Sequence, residues 1–211
     1  MSFSMFFNFE KVSSNIIESA IQHMDDCNTL RESGMEEEQI NMEHFTNNLY
    51  HGSIAAVFIA NLYETSLNTI LTRRLGIKDK KILEGYNSEK LQRICNRYNV
   101  DYGEIQEEHS YKTMKSIINL RNDITHFKIN DIGDGHYLVK GRPIRLGKTT
   151  GCLETLFSKH FMEDGYQETI NFLSLLCDKC GLLLNKDCEI IDLDGKGSLC
   201  EFIVDKSSVE E

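Results

Sequence analysis

A single proline, Pro143, stands in a chain of 211 residues, and that scarcity constrains the fold more than any other feature. Proline lacks an amide hydrogen and clashes with the preceding helical turn, so a chain nearly free of it can keep long helical ladders unbroken. Apolar residues spaced by three and four show where those helices fall. Val12, Ile16, Ile17, Ala20, Ile21 and Met24 predict a first helix over residues 10–31, broken by Ser33 and Gly34. The acidic run at 36–38 suits a helix start, where the macrodipole favours negative charge. From there Phe45, Leu49, Ala56, Ile59, Ala60, Tyr63, Leu67, Ile70 and Leu71 predict one long helix. It ends at Gly76 behind Arg73 and Arg74, the residues a last turn prefers.

Further along, Ser88 is expected to cap a helix through Tyr98, with Leu91, Ile94 and Cys95 inward. Residues 110–128 predict another, on a stripe of Met114, Ile117, Ile118, Leu120 and Ile124. Two more helices are expected at 151–163 and 166–185. Between them the texture changes. Residues 130–150 gather glycines, basic residues and the proline, and predict a β-hairpin or structured loop. Residues 187–211 predict a second hairpin, pairing 189–193 with 199–204, and a polar tail. The expected class is therefore all-α: one helical domain over 1–211 carrying two small hairpins.

Composition narrows the possibilities. With 40% hydrophobic and 27% charged residues, wholesale disorder is excluded. No unbroken apolar run approaches the roughly 20 residues of a membrane span, and the first residues lack the basic flank and cleavage site of a signal peptide. Seven irregularly spaced cysteines suit reduced thiols, so the expected location is cytoplasmic, with no membrane partner. A net charge of −10 argues against a general nucleic-acid binder. Locally the sign reverses: residues 112–148 hold eight basic residues against three acidic ones.

Three motifs are discounted. Residues 141–149 imitate a phosphate-binding loop but place five residues, not four, between the glycines, which changes how backbone amides would meet a phosphate. Residues 192–199 resemble the start of a calcium loop, yet Lys196 holds the fifth position and Ile203 the twelfth. Cys177 and Cys180 lie in an apolar helical stretch without a second pair at zinc-ligand spacing, and are expected in the core.

One short string remains: Arg121, Asn122, Asp123, Ile124, Thr125, His126. On a continuous helix Arg121 and His126 would stand about 140° apart around the axis and about 7.5 Å along it. Asn122 and His126 would be i,i+4 neighbours, so the amide can steer the imidazole. Arg121 falls within the arc of Met114, Ile117 and Ile118. A guanidinium there needs an anion or another subunit, and Glu64 is the intrachain candidate. By spacing alone, an Arg and a His on one helix are more often structural than catalytic.

That string, with the aliphatic helix before it and the segment 55–68 containing Glu64, resembles the Arg-x4-His signature of the HEPN superfamily. These are small all-α proteins, many of them endoribonucleases in toxin–antitoxin and phage-defence systems. The resemblance covers residues 40–128 and departs from the minimal bundle at 130–150 and in the tail. It implies a homodimer whose two motifs share a cleft, an RNA substrate and a cognate antitoxin as further partner. His126 would be general acid or base and Arg121 the stabiliser of transition-state charge, with Asn122 orienting, Asp123 either orienting as well or simply solvated, and Glu64 supporting. Lys115, Lys128, Arg142, Arg145 and Lys148 would contact RNA phosphates. No cofactor and no metal is implied, because the substrate's own 2′-OH is the nucleophile. The other reading is a catalytically silent HEPN-like module that uses the same bundle to dimerise or hold a partner.

Overall fold

A computed structural model describes residues 8–25, 37–125, 129–133, 136–139, 142–145, 157–186, 190–192 and 198–208. The fold is mostly helical. Among the described residues the helices are α1 (Phe9–Gln22), α2 (Glu37–Thr69), α3 (Lys80–Leu83), α4 (Asn87–Tyr98), α5 (Tyr102–Glu107), α6 (His109–Thr125) and α7 (Lys159–Lys179). A π turn, Ile70–Arg74, continues α2. Contacts divide the chain into two compact units, the first of residues 1–14, 61–112 and 168–211, the second of 15–60 and 113–167.

In the first unit, Leu62, Tyr63, Leu67, Ile70 and Leu71 bury the face expected of the long helix, with Leu91, Ile94 and Cys95 of α4. Phe172 of α7 meets the rings of Tyr63 at 5.9 Å and Tyr111 at 5.5 Å between centroids, both non-parallel. Such tilted contacts set the positive ring edge against the negative face. The end of α2 matches its stop signal: Gly76 adopts φ +66°, and Arg74 reaches across to the tail. Arg74 donates to the Asp205 carboxylate at 2.9 Å, to the Ile203 carbonyl at 2.8 Å and to the Glu201 carboxylate. Asp101 caps α5 through the amides of Gly103 and Glu104.

In the second unit the core is Ile17, Ala20, Ile21 and Met24 with Ala55, Ala56, Ile59 and Ala60, joined by Met114, Ile117, Leu120, Phe157 and Met162. Small residues on α2 permit close approach. A Cβ on Gly52 would sit 3.1 Å from the Phe157 ring and 3.3 Å from the Met24 methyl.

Several expected boundaries move. α1 stops at Gln22 rather than near residue 31, because α2 supplies competing hydrogen bonds. Asn47 Nδ2 donates to the His23 carbonyl at 2.9 Å, and the Asp25 amide donates to Asn48 Oδ1 at 2.8 Å. Ser88 is not a cap: α4 starts one residue earlier, and the Tyr86 carbonyl takes the amides of Glu89 and Lys90. The two expected C-terminal helices are one where described, since α7 runs through Gly165; residues 151–156 lie outside the described residues. Gly165 serves packing, because a Cβ there would fall 2.6 Å from Ile117. α7 ends at Lys179, with Gly181 at φ +68°, and the apolar run beyond is a strand.

Strands form three small antiparallel groups. In the glycine-rich segment β1 (Ile129–Gly133), β2 (His136–Val139) and β3 (Arg142–Arg145) make a three-stranded meander instead of a hairpin. Pro143 sits in β3, an edge strand, the place in a sheet that tolerates a residue without an amide hydrogen. β4 (Leu182–Leu184) pairs with β7 (Ile203–Asp205), and β5 (Ile190–Asp192) with β6 (Ser198–Cys200). Of these, β5 and β6 pair largely as the tail segments were expected to, whereas residues 203–204 of the expected second strand belong to β7 and pair with β4 instead.

The stretch Thr46–Arg74 is long and apolar enough to cross a membrane by length and composition. Its unbroken apolar run is only residues 54–60, and 56% of its most apolar window is buried inside the protein.

Candidate functional site

The site is built on α6, which stays helical through Arg121, Asn122, Asp123, Ile124 and Thr125. Its inward stripe is Ser110, Tyr111, Met114, Ile117 and Leu120, and the next residue on it is Asp123, only 6% exposed. Among the described residues of the motif Asp123 is thus the most shielded charged group, where the sequence left it either orienting or solvated. Arg121 and Asn122 are half-buried at the border of that stripe. The Thr125 hydroxyl donates back to the Arg121 carbonyl at 2.9 Å, one turn earlier on the same helix. His126 and Lys128 lie outside the described residues.

Glu64 belongs to the first unit and Arg121 to the second. Within its unit Glu64 receives the ammonium of Lys90 at 3.1 Å. Lys90 is wholly shielded from solvent, and its neighbour at i+4, Ile94, is a core residue. The spacing of Lys90 and Ile94 at i,i+4 carried that signal in the sequence, but the polar side chain masked it.

Lys115 is exposed on α6. Arg142 and Arg145 occupy the two ends of β3, in register with Val139 and His136 of β2. Lys148 lies outside the described residues. The expected RNA-contact set is therefore distributed over α6 and the β1–β3 meander.

The discounted cysteines occupy the core, as expected of an apolar helix. Cys177 and Cys180 are buried, and desolvation pushes each thiol up to about 12. Cys95 is raised to about 11 for the same reason. Thiols held protonated are poor nucleophiles and poor metal ligands. No cluster of three or more metal-ligating side chains occurs among the described residues.

Compared with known proteins, the chain matches no family model, and no curated protein or solved structure is similar to it.

Proposed function

We propose that the chain is a metal-independent endoribonuclease of HEPN type, acting as a homodimer. The supporting observation is α6: a helix in a mostly helical protein holds Arg121 and Asn122 in register at its end, immediately before His126. In the reaction His126 takes the proton of the ribose 2′-OH as its oxygen attacks phosphorus. The new 2′-O–P bond forms as the P–O5′ bond breaks, and the 5′-oxygen leaves with a proton from an imidazolium, that of His126 or of the same histidine in the second protomer. The products carry a 2′,3′-cyclic phosphate and a 5′-hydroxyl. Arg121 offsets charge developing on the phosphoryl oxygens, Asn122 orients the imidazole, and Asp123 assists in that orientation. Lys115, Lys128, Arg142, Arg145 and Lys148 supply the field that draws RNA to an otherwise acidic chain. A toxin or phage-defence role, with an antitoxin that silences it, is the biological setting this chemistry suits.

The net charge of −10 favours the second reading, a silent dimerisation or partner-binding module. Incubating the purified protein with total RNA and EDTA separates the two. Cleavage that persists in EDTA, fails on DNA and is lost in His126→Ala supports the enzyme. Strict dependence on added magnesium or manganese overturns the mechanism. Intact RNA, with Arg121→Ala altering assembly alone, assigns the binding module.

A further inference from the structure

An open cleft of about 500 Å³ lies in the first unit, lined by Leu75, Ile77, Arg93, Asn96 and Arg97. The chain builds its apolar side at the end of the π turn. The Leu75 amide donates to the Ile70 carbonyl at 3.0 Å and the Ile77 amide to the Leu71 carbonyl at 2.9 Å. Between them Gly76 takes φ +66°, and a Cβ there would meet nothing within 4 Å. The glycine is therefore needed for its backbone conformation, which fixes Leu75 and Ile77 on either side of it. The polar side comes from α4, which packs against the π turn. Arg93, Asn96 and Arg97 stand at i, i+3 and i+4, so their side chains share one helical face.

Several cations of this unit are neutralised by carboxylates. Arg73 and Arg74 pair with Glu201, Lys90 with Glu64, Lys112 with Glu107, Lys179 with Glu104 and Lys206 with Asp178. Arg93 and Arg97 are exposed, and neither has a carboxylate partner among the described residues. Two exposed guanidiniums one helical turn apart on the rim of an open cleft offer the planar donors that phosphate oxygens accept from.

We propose that this cleft binds a nucleoside phosphate. Arg93 and Arg97 take the phosphate, Leu75 and Ile77 cover one face of the base, and the Asn96 amide meets its hydrogen-bonding edge. The volume lies within the range of small-ligand sites, and a bare phosphate would leave the apolar side in water. The ligand is a free mononucleotide or the phosphorylated end of an RNA strand, which present the same chemistry. None of the five residues belongs to the proposed cleavage machinery, so the cleft stands or falls separately from it.

The test is titration of the full chain, followed by calorimetry and by the methyl resonances of Leu75 and Ile77. The probes are AMP, UMP, their nucleosides, inorganic phosphate and a 5′-phosphorylated 2′-O-methyl RNA hexamer, which offers no free 2′-OH to cleave. Nucleotides should bind at least tenfold more tightly than nucleoside or phosphate alone and shift both methyl groups. Arg93→Gln and Arg97→Gln should each weaken binding by about tenfold, the worth of a charge-assisted contact, at unchanged thermal melting. Tighter binding of the hexamer assigns an RNA end, and equal or weaker binding assigns the free nucleotide; either supports the site. Phosphate binding as tightly as the nucleotides, or affinity unchanged in the double Gln variant, overturns the proposal.

Discussion

Lys90 Nζ and Glu64 Oε1 stand 3.1 Å apart, and the two partners are unequally shielded: no part of the lysine side chain is exposed, against 36% of the glutamate. An ammonium cannot rehydrate from that position, whereas the carboxylate can. The pair therefore fixes α4 against α2 in the first unit.

Removing the two partners should have unequal costs. Glu64→Gln leaves a shielded charge without its carboxylate and should destabilise by about 2–4 kcal/mol, somewhat less than a fully buried pair because water reaches the glutamate side. Lys90→Met keeps the packing volume and removes the shielded charge itself, while Glu64 stays within reach of water, with an expected loss of about 1 kcal/mol or less. Urea denaturation of both variants measures the difference. Equal losses would show that the pair is not organised by burial.

Gly165→Ala tests the packing that makes α7 continuous. The added methyl would fall 2.6 Å from the Ile117 side chain, itself fully buried. Overpacking of about 1–3 kcal/mol should outweigh the helix-propensity gain of roughly 1 kcal/mol. Adding Ile117→Ala to Gly165→Ala should cost less than the sum of the single changes, since the methyl then has room. Strict additivity in chemical denaturation would refute the contact.

Arg74 joins the end of α2 to the tail through Glu201, Asp205 and the Ile203 carbonyl. Arg74→Lys keeps the charge but cannot span these acceptors, because an ammonium lacks the planar fork. Amide exchange at Ile203, Val204 and Asp205 should accelerate in this variant, with the amides of α4 unchanged. Uniform loss of protection across the first unit would mean that the tail is not held locally.

The raised thiols give stability an alkaline limit. A thiol of ordinary value 9.0 that is held near 11 for Cys95, and near 12 for Cys177 and Cys180, retains its proton in the folded state after the unfolded chain has lost it. The contribution is complete below pH 9 and lost as pH rises from 9 toward 12. Stability measured across that window should fall, and less steeply in Cys177→Ala/Cys180→Ala. Below pH 9, all three thiols should react with a disulfide reagent only as fast as the protein unfolds.

For the proposed cleavage, His126→Ala should lower activity by about 10²–10⁴-fold, the range for a lost acid or base. Arg121→Ala should lose a comparable factor through transition-state charge, and Asn122→Ala less. Sedimentation should give twice the 24.3 kDa chain mass for the wild type. Full activity in a folded, dimeric His126→Ala protein would remove the histidine from the mechanism.

Periodicity and punctuation alone determined a great deal. The stripes of α2, α4 and α6, the core position of Cys177 and Cys180, the stop at Gly76 and the β character of 129–145 all follow from interactions within a few residues, which the sequence displays directly. The same spacing put Arg121 within the buried arc, whereas the structure leaves it half-buried at the border. Tertiary structure alone decided the rest, where a distant partner competes with a local preference. Asn47 and Asn48 end α1 from more than twenty residues away. Ile117 turns Gly165 from an apparent break into a packing site, and Ile203, Val204 and Asp205 draw Leu182, Leu183 and Leu184 out of a helix and into a strand. Glu64 lets Lys90 occupy a core position its charge would otherwise forbid. In each case the deciding free energy is a contact between residues remote in the chain, which local spacing cannot encode.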